Sequence, residues 1–90
     1  MNVKITDYGQ GDVNFVEYLV QGLSPDQLNI LNENLDEETR IADGNLVIKM
    51  YFEDRLYPFQ SDIAKIRLDD FISREEIEMN VFLSSFLEDF

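Results

Sequence analysis

An Asp43-Gly44 pair between two apolar runs constrains the fold of this 90-residue chain more than any other feature. Asp-Gly suits the left-handed backbone that a two-residue type I′ turn requires, so the pair predicts a β-hairpin. The second arm, residues 45–52, is rich in β-forming side chains that alternate between two faces. We expect the core face to carry Leu46, Ile48, Met50 and Phe52, and the opposite face to carry Val47, Lys49 and Tyr51.

A capping box predicts the start of a helix after the first third of the chain. Ser24 can cap the helix, Pro25 suits the first helical position, and Gln27 completes the box. We expect the helix to span residues 25–35. Its apolar face is expected to carry Leu28, Leu31 and Leu35.

A second capping box, formed by Ser73 and Glu76, predicts that a C-terminal helix begins near Ser73. Apolar side chains follow it at spacings of three and four, which is typical of one helical face. The members of this stripe are Met79, Phe82, Leu83, Phe86 and Phe90. We expect the stripe to face the core.

Two other segments carry mixed signals. Over residues 13–23 the apolar spacing is helical, although Phe15, Val16 and Tyr18 favour a strand; we expect a helix that Asp12 caps and Gly22 ends. Residues 62–72 fit either a strand or a helix, and the alternation there leads us to expect a strand at 63–68. Residues 2–6 alternate as a short strand does, and residues 7–12 have the composition of a turn.

These elements predict one α+β domain that spans residues 1–90. The expected order is roughly β-α-α-β-β-(β)-α, with a small, mostly antiparallel sheet of three to four strands and two to three helices. Hydrophobic residues make up 44% of the chain, which is enough for a thin core at this size.

Net charge is the most unusual property of the composition. Nineteen Asp and Glu oppose seven Lys and Arg, which gives a formal charge of -12 at pH 7. A magnitude of about 2–8 already keeps a small domain in solution. Two interpretations stay open at this point: the acid binds a specific partner, or it serves solubility alone.

The residue inventory argues against an enzyme. The chain has no Cys and no His, so thiolate chemistry and the commonest general base are both absent. No glycine-rich phosphate loop occurs, and the oxygen-rich segment 32–38 lacks the spacing of a calcium loop. We therefore expect no catalytic residue, no cofactor and no metal site. The N-terminus lacks the apolar region of a signal peptide and no apolar run could span a membrane, so we expect a cytoplasmic protein that does not bind membranes.

The acidic residues suggest a binding function instead. Carboxylates lie ~5–6 Å apart at i, i+4 on a helix and ~6.6 Å apart at i, i+2 on a strand. Both spacings are close to that of successive phosphates along a nucleic acid. The chain is therefore predicted to mimic nucleic acid and to inhibit a basic nucleic-acid-binding protein, a nuclease or similar, without binding nucleic acid itself. The expected contact residues are Glu33, Asp36, Glu37, Glu38, Asp69, Asp70, Glu75, Glu76 and Glu78.

In size, acidity and lack of catalytic residues, the chain resembles phage-encoded inhibitors of host defence nucleases, which include anti-CRISPR and anti-restriction proteins. Two alternatives remain. One is an immunity or antitoxin-like protein that neutralises a basic toxin, with Tyr51, Tyr57 and Phe59 as anchors. The other is a structural adaptor that forms a homodimer through its C-terminal helix.

Overall fold

The computed structural model describes residues 1–9, 14–52 and 64–90, which form four strands and two helices. The strands make one antiparallel sheet in the order β1-β2-β4-β3, and both helices pack on the same face of it. The predicted α+β class is confirmed. The elements are β1 (Asn2–Gly9), β2 (Asn14–Gln21), α1 (Pro25–Asn34), β3 (Glu38–Ala42), β4 (Asn45–Phe52) and α2 (Ala64–Glu88).

The β3–β4 hairpin turns at Asp43-Gly44, as the sequence predicts. Asp43 and Gly44 have φ values of 53° and 76°, and the pairing of Ala42 with Asn45 closes a two-residue loop. Both central residues therefore occupy the left-handed region that defines a type I′ turn. Leu46 and Ile48 are fully buried on the predicted core face, and this register fixes which side chains of β4 point toward the helices.

The predicted capping box opens α1. The hydroxyl of Ser24 accepts a hydrogen bond from the Gln27 amide at 3.2 Å, and the Gln27 side chain accepts one from the Ser24 amide at 2.9 Å. Leu28 and Leu31 are buried beneath the helix. Leu35 caps the C-terminus and packs against the core, so the helix ends one residue before the predicted boundary.

The expected helix over residues 13–23 is wrong, because this segment forms strand β2. Val16, Tyr18 and Val20 are fully buried on the helix-facing side of the sheet. The strand is central, between β1 and β4, and it also carries apolar Phe15 and Leu19 on its other face. Apolar residues on both faces hide the alternation that identifies a half-buried strand. The expected cap at Asp12 lies outside the described residues.

The expected strand at 63–68 is also wrong from residue 64 onward, because α2 begins at Ala64 and the box at Ser73 falls inside it. Residues 64–68 include Ala, Lys, Arg and Leu, which are strong helix formers, so propensity outweighs the alternating pattern. The Glu76 carboxylate accepts a hydrogen bond from the backbone N–H of Ile5 at 2.8 Å. It therefore binds the sheet instead of capping its own helix.

The stripe on α2 packs against the core over only part of its length. Met79 and Leu83 are buried, and Phe86 packs against them. Phe82 and Phe90 are 50% and 63% exposed, so they do not face the core as expected. The rings of Phe82, Phe86 and Phe90 form a row along the helix, with centroids 6.0 Å and 5.3 Å apart.

The two helices cover different parts of the sheet. α1 packs over β3 and β4, whereas α2 packs along β1. The helices also contact each other, and a pocket remains beside α2, over β2 and β4, which is the site described below. Neither described helix is both long and apolar enough to cross a membrane. The apolar segment with Tyr57 and Phe59 lies outside the described residues.

Candidate functional site

The face of the sheet opposite the helices, here called the outer sheet face, is electrically balanced. Its register places three basic and three acidic side chains on it, namely Lys4, Arg40, Lys49, Asp7, Glu17 and Glu38. Several of these groups interact with one another. Arg40 lies 3.8 Å from the Glu17 carboxylate, and the Tyr51 hydroxyl donates to Glu38 at 2.9 Å.

Lys49 lies between two aromatic rings on the same face. Its Nζ is 4.4 Å from the centroid of the Phe15 ring and 5.5 Å from that of Tyr51. The rings attract the ammonium group through their quadrupoles. Two of the three positive charges of the outer sheet face, those of Arg40 and Lys49, are thus already engaged by groups of the same face.

Among the elements that the structure describes, an excess of negative charge lies on the other side of the sheet. We define the helical side as α1, α2 and the link at residues 35–37 that follows α1. It carries two acidic residues in α1, two in the link and six in α2, against three basic residues, all in α2. Within the part of the chain that the structure describes, negative charge is therefore distributed unevenly between the two sides of the sheet.

The structure separates eight of the nine predicted contact residues into three groups. Glu33, Asp36, Asp70 and Glu78 are exposed on the helical side, as is Glu37. Glu38 is exposed on the outer sheet face, apart from the others. Glu75 and Glu76 are half-buried and accept hydrogen bonds from Tyr18 and Ile5. Asp69 lies in α2, and its side chain lies outside the described residues.

A pocket of about 270 Å³ lies between α2, the link and strands β2 and β4, and we call it the Tyr18 pocket. Three carboxylates line it, those of Glu37, Glu75 and Glu78. The apolar part of its wall comes from Leu35, Ile48, Met50, Met79 and Phe82. The pocket thus combines an apolar surface with a high density of negative charge.

Tyr18 forms part of the wall and positions one of the carboxylates. Its side chain is fully buried, and its hydroxyl donates a hydrogen bond to Oε2 of Glu75 at 3.2 Å. Burial, reinforced by the negative charges of Glu75, Glu78 and Glu37, raises the pKa of Tyr18 above its usual range. The hydroxyl therefore stays protonated and holds the Glu75 carboxylate against the wall.

No basic side chain of the described residues neutralises these carboxylates. Among the side chains that the structure describes, those of residues 1–9, 15–51 and 70–90, the one ion pair within 4.0 Å joins Arg40 to Glu17 on the outer sheet face. Across the same ranges, no group of three acidic side chains has the geometry to hold a metal ion. The pocket can therefore accept hydrogen-bond donors and positive charge from outside the described part of the chain.

Sequence reasoning missed Tyr18 because it placed that residue in a helix. The usable signal was the alternation of Val16, Tyr18 and Val20, which is typical of one face of a strand. A phenol on the buried face of a strand needs a hydrogen-bond partner, and this need would have pointed to a polar group beside Tyr18. Of the predicted aromatic anchors, Tyr51 is 53% exposed on the outer sheet face. The other two, Tyr57 and Phe59, lie outside the described residues.

Comparison with protein-family models finds a match over residues 2–89 to the Family of unknown function (DUF5750). No curated protein matches the chain.

Proposed function

Since this chain belongs to the Family of unknown function (DUF5750), we propose a function from its charge distribution alone. The protein is a non-enzymatic, stoichiometric inhibitor that mimics nucleic acid and occupies the basic groove of a nucleic-acid-binding enzyme. The uneven charge distribution is the observation that carries the proposal. Solubility requires both signs to be mixed over the surface and gives no reason for one balanced and one acidic side.

The arrangement of the exposed carboxylates supports this proposal. Glu33, Asp36 and Glu37 follow one another from the last turn of α1 into the link. Asp70 and Glu78 lie exposed on α2, on the same helical side. Such a surface attracts a partner that binds phosphates through Lys and Arg, and it raises the rate of encounter at low salt. Charges at the rim of the interface are screened over about 8–10 Å at physiological ionic strength, so binding weakens as salt rises.

The proposal includes the biological setting. A small acidic inhibitor of a nuclease is typical of phage proteins that counter host defence, such as anti-CRISPR and anti-restriction proteins. The target in that setting is a cytoplasmic nuclease or a similar nucleic-acid-binding enzyme. Direct binding of nucleic acid is not part of the proposal, since like charges repel.

A competition pull-down tests the proposal. The tagged protein captures partners from a host lysate at low and at high salt, with and without excess duplex DNA. We expect a basic nucleic-acid-binding enzyme that both DNA and salt displace. Asp36→Lys with Glu37→Lys should abolish capture, because it reverses two charges on the helical side.

The matched control makes the same change in net charge on the outer sheet face, through Asp7→Lys with Glu38→Lys. This control should retain the partner. Equal loss in both double variants would mean that net charge alone matters, and capture that is indifferent to DNA would contradict nucleic-acid mimicry.

A second candidate function, a homodimeric adaptor, has one observation in its favour. Ile77 and Val81 are 65% and 60% exposed and lie four residues apart, on one face of α2. A second copy could cover such a face. Val81→Asp should then convert a dimer into a monomer in sedimentation analysis, and a wild-type protein that is monomeric at high concentration would eliminate this candidate.

A further inference from the structure

We propose that the Tyr18 pocket binds one arginine side chain of the partner protein, an inference that rests on the proposed function of binding a basic protein. The pocket would add a position-specific contact to an otherwise diffuse attraction between charged surfaces. Three properties of the pocket lead to arginine: its size, its apolar wall and its uncompensated carboxylates.

The size of the pocket suits a single side chain. Its volume of about 270 Å³ lies just below the range of roughly 300–1,000 Å³ that is usual for pockets that enclose drug-sized ligands. The wall formed by Leu35, Met50 and Met79 is apolar. Long charged side chains bury their methylene groups against such walls while the head group reaches polar atoms.

The charge of the pocket selects a cation. Glu37, Glu75 and Glu78 contribute carboxylates, and none of the basic side chains that the structure describes lies within 4.0 Å of any of them; these are Lys4, Arg40, Lys49 and Arg74. An anion or a phosphate would be repelled. A bare metal ion is disfavoured too, because these carboxylates do not form a group that could coordinate one ion together.

The spread of the carboxylates favours a guanidinium over an ammonium. A guanidinium presents five N–H donors in a plane and can bind two separate carboxylates at once, whereas an ammonium is a compact, strongly hydrated point charge. The Phe82 ring, half exposed in the pocket wall, offers a face on which a guanidinium can stack. Glu75 is already oriented by Tyr18, so part of the site is preorganised.

An NMR titration of the intact protein tests the inference without knowledge of the partner. The probes are N-acetyl-arginine methylamide, its lysine counterpart and its citrulline counterpart, which has nearly the shape of arginine but no charge. We expect the arginine probe to shift amide signals around the pocket, at Leu35, Met50, Met79 and Phe82. The citrulline probe should leave these signals unchanged, and the lysine probe should bind more weakly than arginine.

Matched variants separate the pocket from net charge. Glu37→Gln with Glu78→Gln should weaken binding of the arginine probe about tenfold or more, because it removes the negative charge on which two charge-assisted hydrogen bonds depend. Glu33→Gln with Asp43→Asn removes the same charge outside the pocket and should change the affinity less than twofold. Asn tolerates the left-handed backbone at position 43, so the control should fold.

Three results would overturn the inference: shifts spread over the whole helical side, equal binding of arginine and lysine probes, or equal loss in the two double variants. Failure here is distinguishable from failure of the proposed function. A basic enzyme captured equally well by the Glu37→Gln, Glu78→Gln variant would refute the pocket and leave nucleic-acid mimicry standing. Arginine binding in the pocket without capture of any basic protein would refute only the mimicry.

Discussion

Replacement of Tyr18 by Phe tests the buried contact that shapes the pocket. The ring is fully buried, and its hydroxyl donates to the Glu75 carboxylate at 3.2 Å. Hydrogen bonds to charged groups contribute about 1.5–3 kcal/mol, and this bond is longer than the roughly 2.5–3.0 Å that is usual for O–H···O, so we take the low end of that range. We therefore expect Tyr18→Phe to lower the free energy of unfolding by about 1.5 kcal/mol at neutral pH.

The effect of this substitution on the free energy of unfolding should change sign at alkaline pH. Burial, followed by the charge of Glu75, raises the pKa of Tyr18 in the folded protein above the value of about 10 in the unfolded chain. The contribution of Tyr18 is complete below pH 10. Above pH 10 the unfolded state binds fewer protons than the folded state, so wild type loses about 1.4 kcal/mol per pH unit. Phe has no proton to lose, so the variant does not share this loss. The two proteins should therefore have equal free energies of unfolding at about pH 11.

Chemical denaturation of both proteins from pH 8 to pH 11.5 at constant ionic strength measures this crossover. All other titrating groups are common to the pair, so they cancel in the difference between the two free energies of unfolding. The absorbance of tyrosinate can also be titrated against pH in both proteins. The difference between wild type and variant should show a phenol whose pKa lies above its usual range. Tyr51→Phe, which removes an exposed hydroxyl that donates to Glu38, is the control at neutral pH and should cost less than about 0.5 kcal/mol. A stability difference between wild type and Tyr18→Phe that stays constant through pH 11 would refute this reasoning.

Three further predictions concern the fold itself, and each is measured by denaturant unfolding. Leu83→Ala leaves a cavity beneath α2 and should cost about 3 kcal/mol or more, since Leu83 is fully buried; a loss below 1 kcal/mol would contradict the described packing. Glu76→Ala removes the acceptor of the Ile5 amide and should cost about 1.5–3 kcal/mol, whereas Glu76→Gln keeps an acceptor and should cost less. Equal losses of unfolding free energy in Glu76→Ala and Glu76→Gln would exclude the hydrogen bond to Ile5 as the cause. Ser24→Ala should cost about 1 kcal/mol through loss of the cap to Gln27, and Ser24→Asp should restore most of it.

The elements that sequence predicts well are those specified by neighbouring residues. The Asp43-Gly44 turn and the box of Ser24 and Gln27 each depend on two to four consecutive positions. The turn forms because Asp and Gly tolerate the left-handed backbone conformation. The cap forms because Ser24 and Gln27 bond to each other's backbone amides. No distant contact is needed to specify them.

The elements that sequence predicts poorly depend on distant partners. Strand β2 is central, and its apolar residues on both faces imitate helical spacing. Glu76 has the correct distance from Ser73 for a capping box, yet its partner is the amide of Ile5, 71 residues away. A short sequence pattern cannot distinguish a local hydrogen bond from a tertiary one.

The Tyr18 pocket was unpredictable for the same reason. Sequence placed Glu37, Glu75 and Glu78 among the expected contact residues, but in two separate clusters. Only the packing of α2 and the link around the paired strands β2 and β4 brings those clusters together beside a buried phenol. The composition predicted an acidic surface, and the topology made part of it concave.

The sheet order also determines how the chain must assemble. β1 pairs with β2, and β3 pairs with β4, each within a short stretch of chain. The seam between β2 and β4 instead joins residues 26 to 38 positions apart, from Val20 with Leu46 to Asn14 with Phe52. Closing that long loop costs entropy before any cross-seam contact forms, so the two hairpins can appear early while their docking limits the folding rate. The Tyr18 pocket spans this seam, since Tyr18 lies on one side of it and Ile48 on the other. The site therefore forms only after the two hairpins have docked and α2 has packed over them, and no fragment that holds a single hairpin could contain it.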